Sequence, residues 1–331
     1  MAIDAMTEVA RRLVREHPGH TARGLARMLV AESNNALTLG QARSRIARQL
    51  GVNGRKDRKR CKKDAYRDPR QAGVDYRPPP SVAETWSPYY VQATGTVGVL
   101  SDIHIPYHSD LAVRAAVDSL AAAGIDALVI NGDLADFYAI SRWTKDPRAR
   151  DFSFELQSCR EFVGWLRQTF PKIPIVYKAG NHEERWQHYI WQHAPELSKE
   201  KRMSLQSWLD LDKHDVMMVE NQRPVMVGRL PILHGHEFRG GSPVNPARAA
   251  YNKLKHTALI GHHHQTSGHC EPDMNHRETY NWSVGCLCDL TPEYSRINKW
   301  NWGFAIVEVQ SDGEFNVENH RISTSGKVRT S

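Results

Sequence analysis

Ala258-Leu259-Ile260-Gly261-His262-His263-His264 is a short apolar run that ends in three consecutive histidines. Its first half reads as a buried strand and its second half as the loop that leaves it. Four other stretches have the same form. Val97-Gly98-Val99-Leu100 precedes Asp102-Ile103-His104, and Ala127-Leu128-Val129-Ile130 precedes Gly132-Asp133. Ile173-Pro174-Ile175-Val176-Tyr177 precedes Gly180-Asn181-His182-Glu183, and Leu230-Pro231-Ile232-Leu233 precedes His234-Gly235-His236. Polar blocks that follow buried strands can converge at one sheet edge. The Asp, Asn and His side chains among them are the oxygen-and-imidazole set that suits a pair of divalent transition metals.

Taken singly, Asp-x-His and Gly-Asp carry little weight, because such short patterns arise by chance. Gly-Asn-His-Glu after a strand carries more, and Gly-His-x-His after another carries more again. Helical candidates at 109–123, 154–169, 183–193 and 245–255 fill most of the gaps between the apolar runs. Further strands are expected near 279–287 and 302–309. Strands alternating with helices make an α/β architecture with the ligands at the carboxyl ends of strands.

The front of the chain reads differently. Residues 1–80 carry 18 Lys/Arg against 8 Asp/Glu, whereas the remainder carries 26 against 29. Three short helices are expected there. The first bears Val9, Leu13 and Val14 and stops at His17-Pro18-Gly19. The second is capped by Thr21 and bears Leu25, Met28 and Leu29. The third opens on the capping-box pattern Thr38-Leu39-Gly40-Gln41, with Leu39, Ala42, Ile46 and Leu50 on one stripe, and closes at Gly51. A basic run from Arg55 to Lys63 follows. We expect a basic helix-turn-helix-like domain over 1–63, with nucleic acid as its partner, although a solvated basic face would look the same. Residues 64–95, with Pro69, Pro78-Pro79-Pro80 and Pro88, read as a linker or strap, and 96–325 as the catalytic domain.

The sequence resembles the calcineurin-like metallophosphoesterases, whose pattern is D-x-H, G-D, G-N-H-[DE], H-G and G-H-x-H. The resemblance covers residues 96–310. Ser101-Asp102-Ile103-His104-Ile105-Pro106-Tyr107-His108, Gly132-Asp133-Leu134-Ala135-Asp136-Phe137-Tyr138 and Gly285-Cys286-Leu287-Cys288-Asp289-Leu290 are similar to the branch found in phage and prophage genomes. It implies a four-layer αββα sandwich of two mixed sheets, preceded here by the basic helical domain. It implies that Asp102, His104 and His264 hold one metal, that Asn181, His234 and His262 hold the other, and that Asp133 bridges them. A hydroxide shared by the two ions would attack phosphorus. His182 would protonate the leaving alkoxide, held by a carboxylate at Asp136. Asp136 would otherwise be a helix cap or turn former. Manganese is the usual metal of the resemblance, and donors of this kind also suit Fe, Zn, Ni or Co.

His108, Arg142, Arg185 and His236 are candidate phosphate contacts, while His263 is expected to face outward. Phosphodiesters of nucleic acid are the first expectation for substrate, because the basic module would concentrate polynucleotide near the site. The alternatives are a phosphomonoesterase acting on small molecules or phosphoproteins, and a non-catalytic DNA-binding protein. His182-Glu183-Glu184-Arg185-Trp186 lacks the second histidine of a zincin helix, and no phosphate-binding G-x-x-x-x-G-K-[ST] loop is present. Phe137-Tyr138 stands where protein Ser/Thr phosphatases carry Arg-Gly. The G-N-H-E block differs from the G-N-H-D of repair nucleases. Five cysteines without a C-x-x-C pair suggest reduced thiols. No apolar span suits a membrane and the N-terminus lacks signal-peptide features, so a cytoplasmic location in a bacterial host is expected. Oligomeric state is left open.

Overall fold

The computed structural model describes residues 5–51, 79–93, 95–144, 151–238, 240 and 243–330. The basic run from Arg55 to Lys63, and Cys61 within it, lie outside the described residues. The chain divides into two compact units, Met1–Glu84 and Thr85–Ser331.

In the first unit, α1 (Ala5–Glu16), α2 (Ala22–Glu32) and α3 (Leu39–Leu50) enclose a small core. Ala10, Leu13, Leu25, Ala26, Leu29, Ala42 and Ile46 are its buried members. Thr21 accepts from the Gly24 amide at 3.1 Å, which starts α2. Thr38 and Gln41 form the reciprocal capping box of α3. Of the expected α3 stripe, Ala42 and Ile46 are buried, whereas Leu39 is exposed.

The second unit is built on two mixed sheets. One runs β13-β12-β11-β2-β3-β4-β5 and the other β1-β6-β7-β8-β10-β9. The strands are β1 (Tyr89–Tyr90), β2 (Gly95–Leu100), β3 (Ala127–Asn131), β4 (Ile175–Lys178), β5 (Val216–Val219), β6 (Val225–Val227), β7 (Leu230–Leu233), β8 (Ala258–Ile260), β9 (Ser267–Pro272), β10 (Glu278–Ser283), β11 (Trp302–Val309), β12 (Phe315–Ile322) and β13 (Val328–Thr330). Strands β2 to β5 are mutually parallel, as are β7, β8 and β10.

Alternation along each central strand explains the layering. Val97, Val99, Ala127, Val129, Val176, Ala305 and Val307 point between the sheets, where they meet Val225, Val227, Leu230, Ile232 and Leu259. The intervening Leu100, Leu128, Ile130, Ile175 and Tyr177 face α4 (Asp110–Ala123) and α5 (Phe152–Thr169) on the outside. Burial on both faces is why these strands read as unbroken apolar runs. Beyond the six-stranded sheet, Leu233, Ala258 and Ile260 pack against Ala250 of a helix at Pro246–Leu254. The result is four layers, αββα.

Within the stretch read as a linker, Tyr89 and Tyr90 pair with Val225 and Met226 and add an edge strand to the six-stranded sheet. At the other end β13 pairs with β12 beyond residue 325. Cys286 and Cys288 sit in an extended loop after β10 rather than inside a strand. No helix among the described residues is long and apolar enough to cross a membrane.

Candidate metal centre

The five polar blocks leave β2, β3, β4, β7 and β8 and meet in one buried cluster. His104 Nε2 faces His264 Nε2 at 3.1 Å, and His264 Nε2 is 3.2 Å from Asp102 Oδ1. His234 Nε2 lies 3.2 Å from both Asn181 Oδ1 and Asp133 Oδ2. Two groups of convergent donors share one carboxylate: Asp133 with His234 and His262, and Asp133 with His104 and His182. A third group joins His104, His264 and Cys288. All seven residues expected as metal ligands are thus brought together, and Asp133 stands between the two halves.

Local backbone geometry makes that convergence possible. Asp102, His104, Asp133, His262 and His264 all adopt positive φ, between 51° and 66°. Left-handed backbone at non-glycine residues carries strain that only a well-determined surrounding maintains, and it concentrates at functional sites. Two motif glycines act by leaving room. A Cβ at Gly132 would come within 2.4 Å of His234 Nδ1, and one at Gly180 within 2.3 Å of Asp133 Oδ1.

Groups outside the ligand set hold the loops. The buried Glu183 carboxylate accepts from the amides of Asp133 (2.8 Å), Ala135 (3.2 Å) and Gly180 (2.7 Å) and from the Tyr177 hydroxyl (2.6 Å). It caps α6 (Asn181–His193) and fixes the Gly132-Asp133 loop at the same time. Glu237 accepts from the amides of His234 and Gly235, at 3.0 and 2.5 Å. It is paired with the fully buried Lys178 ammonium at 2.8 Å. Ser101 Oγ donates to Asp102 Oδ2 at 2.5 Å. Of these, Glu183 and Glu237 had a sequence signal, an acid at a fixed offset inside the G-N-H-E and H-G-H-E blocks. Ser101 and the charge of Lys178 inside an apolar run had none.

Electrostatics follow from burial and the opposed partners. Burial disfavours charge at Asp102 and Asp133, but neighbouring imidazoles outweigh it and hold both carboxyls below the usual range, His264 and His234 for the former, His182 and His234 for the latter. Burial also opposes charge on His234, yet Asp133 and Asp102 push it up to about 10. A buried pocket with two carboxylates facing imidazole nitrogens calls for positive charge. Divalent cations meet that demand, and the donor set fits them.

His182 stands at the rim. Its Nδ1 donates to the backbone carbonyl of Asp136 at 2.5 Å, and Arg185 Nη2 is 2.8 Å from its Nε2. Burial, chiefly, pushes His182 down to about 3, so the ring is neutral with its lone pair on Nε2. The Asp136 carboxylate lies 3.0 Å from His104 Nδ1 and 3.6 Å from His182 Nδ1. Asp136 therefore orients two histidines with different atoms: His104 through its carboxylate and His182 through its main chain.

The candidate phosphate contacts divide. Arg185 reaches the rim, donating also to the Asp136 carbonyl at 2.8 Å. Arg142 lies over the Trp143 ring, 4.9 Å from its centroid. His236 Nε2 is 3.0 Å from Glu184 Oε1, with its ring 5.3 Å from that of His234. His108 faces Asp110 at 3.3 Å and the Phe162 ring, so it does not join the cluster. His263 is half-buried against the His262 ring.

The family model described as calcineurin-like phosphoesterase matches residues 95–289. The chain belongs to the calcineurin-like phosphoesterases. It is similar to the Gene 54 proteins of two mycobacteriophages. Identity to that of phage L5 is 30% over 234 residues, spanning 65% of this chain and 89% of the phage protein. Identity to that of phage D29 is 28% over 251 residues, spanning 67% and 96%. Vacuolar Protein Sorting 29 from Cryptosporidium parvum has 14% identity and a TM-score of 0.38, covering 72% of this chain and 95% of that one. As a calcineurin-like phosphoesterase, the chain is a metal-dependent phosphoric ester hydrolase with a dinuclear metal site.

Proposed function

We propose that the enzyme is a phosphodiesterase acting on nucleic acid. The observation that carries the metal chemistry is the buried carboxylate of Asp133, whose Oδ2 lies 3.2 Å from His234 Nε2 and 3.8 Å from His104 Nε2, one nitrogen from each of the two ligand sets. Asp102, His104 and His264 would hold one cation; Asn181, His234 and His262 would hold the other; Asp133 would face both. Two divalent cations there, manganese in the first instance, supply Lewis acidity toward phosphoryl oxygens and lower the pKa of water.

The chain's own residues do the rest. Arg185, at the rim, is placed to meet a phosphoryl oxygen with its guanidinium fork. His182 is held in one tautomer by the Asp136 carbonyl. A substrate phosphate that draws Arg185 away from Nε2 brings negative charge to the ring and favours its protonation. His182 then donates from Nε2 to the departing alkoxide. Asp136 orients His104, and Glu183 holds the loop that carries Asp133. Nucleic acid is favoured as substrate by the basic front of the chain, whose cations attract polyphosphate.

The test is hydrolysis by the Mn²⁺-loaded protein of bis-p-nitrophenyl phosphate, p-nitrophenyl phosphate, and labelled single- and double-stranded DNA. Cleavage of the diester and of DNA in preference to the monoester is expected. Preference for the monoester, with DNA untouched, replaces this reading with that of a phosphomonoesterase.

A further inference from the structure

Beside the metal centre, the structure leaves large aromatic side chains in solvent. Trp143 is 57% exposed and Tyr294 is 50% exposed. With Tyr138, Thr144, His182 and Arg185 they line a cleft of about 450 Å³. A second cleft of similar size shares Trp143 and Arg185 and adds Arg142 and Asn181 among its walls. Both clefts therefore open onto residues of the reaction centre, His182 in one and Asn181 in the other.

Two of the rings, those of Tyr138 and Tyr294, are braced rather than loose. Tyr138 and Tyr294 stack with centroids 5.6 Å apart and planes at 28°. Tyr294 contacts Trp300 at 6.2 Å, and Trp300 lies 4.1 Å from the ring of His264. An aromatic line thus runs from the cleft to a ligand of the metal centre. Tyr138 owes its place to Phe137, whose positive φ turns the chain out of the Asp133–Asp136 loop into a short helical turn.

We propose that Trp143, Tyr138 and Tyr294 form a stacking subsite for an unpaired nucleobase, with Arg142 and Arg185 on the adjoining phosphates. This rests on the phosphodiesterase reading and specifies its substrate as single-stranded nucleic acid. Exposed aromatic faces interleaved with guanidinium groups match a strand in which bases alternate with phosphates. A duplex offers no free base face to such rings. Glu184, the one acid among the described walls of the two clefts, does not oppose this, because it is engaged by His236 and Gln222, each at 3.0 Å.

The experiment compares a labelled trithymidylate with an abasic trinucleotide of the same backbone. Affinities are read by fluorescence anisotropy on the full Mn²⁺-loaded chain carrying His182→Asn, which slows cleavage, in about 200 mM salt, where contacts to backbone alone weaken. The base-bearing strand should bind about 5-fold to 150-fold more tightly, the range for stacking one base on an aromatic platform. Adding Trp143→Ala or Tyr294→Ala should bring the ratio toward one, and Trp143→Phe should restore most of it. Equal affinities for the two strands, or a ratio that neither alanine variant moves, overturn the subsite. Cleavage of DNA by the unmodified chain is scored separately. A protein that cleaves both strands alike keeps the phosphodiesterase reading and loses the subsite. One that binds with the expected ratio but cleaves nothing keeps the subsite and loses the activity.

Discussion

Replacing Glu183 by Gln alters one atom, yet it disturbs the support of the whole centre. The carboxylate receives four donors and offers none. Oε2 takes the amides of Asp133 and Gly180, and Oε1 takes the Tyr177 hydroxyl and the Ala135 amide. A glutamine keeps one oxygen and brings an NH₂ group. With the NH₂ at Oε2 it confronts two backbone N–H groups. At Oε1 the Tyr177 hydroxyl can turn to accept, but the Ala135 amide is stranded. The second placement is cheaper and leaves one buried donor unmet, at about 1–3 kcal/mol, besides weakening bonds that had been charge-assisted. An opposing gain exists, since burial and Asp133 raise the pKa of Glu183 and an amide escapes that penalty. Geometry should win, because the same carboxylate holds the loop of Asp133. We expect a net loss of about 2 kcal/mol, a melting point lower by about 4–8 °C in the metal-free protein, and Mn²⁺ affinity weaker by about 10–100-fold. Scanning fluorimetry and a Mn²⁺ titration measure both. A Gln variant that melts and binds Mn²⁺ as the parent does would refute the reasoning.

Three further outcomes are expected. Glu155 is buried, which pushes it up to about 8 against the opposing amide of Phe137. A folded-state pKa raised above the unfolded value means that its share of stability is full below about 4.5 and is lost as pH rises through about 8. Glu155→Gln should therefore flatten the fall in urea midpoint between those limits, and parallel pH profiles would count against it. His182→Asn should lower the hydrolysis rate by about 10²–10⁴ with Mn²⁺ stoichiometry unchanged, and a smaller drop removes the proton-donor role. DNA affinity of the full chain should fall steeply with added salt if its basic front contacts phosphates, and a flat salt dependence would remove that partner.

The metal blocks were legible because each ligand lies within a few residues of the strand that delivers it. Strand and loop are local features, and five repetitions of one pattern outweigh chance. Strand β12 was not legible for the opposite reason. Its buried members include Asn319 and His320, whose reasons for burial are distant. Asn319 donates to Ser283 O of the other sheet at 3.0 Å, and His320 stacks on Phe304 at 4.8 Å. Tyr89 and Tyr90 likewise become a strand only by pairing with Val225 and Met226, far along the chain. Lys178 breaks the apolar pattern of β4, and its partner Glu237 is equally remote. At Asp136 the sequence shows where the residue falls but not which atom serves which histidine. The carboxylate goes chiefly to His104 and the carbonyl to His182, a division set by the turn after Asp133. His108 was drawn to the site by proximity in sequence, whereas the start of α4 turns it toward Asp110.

The claim beneath all of this is that Asp133 sits between two cations. Anomalous diffraction from crystals grown with Mn²⁺, collected above and below the manganese edge, tests it most directly. The account predicts two peaks about 3.5–4 Å apart on either side of the Asp133 carboxylate, one near His104 and His264 and the other near His234 and His262. A single peak, or two that do not share Asp133, would contradict it.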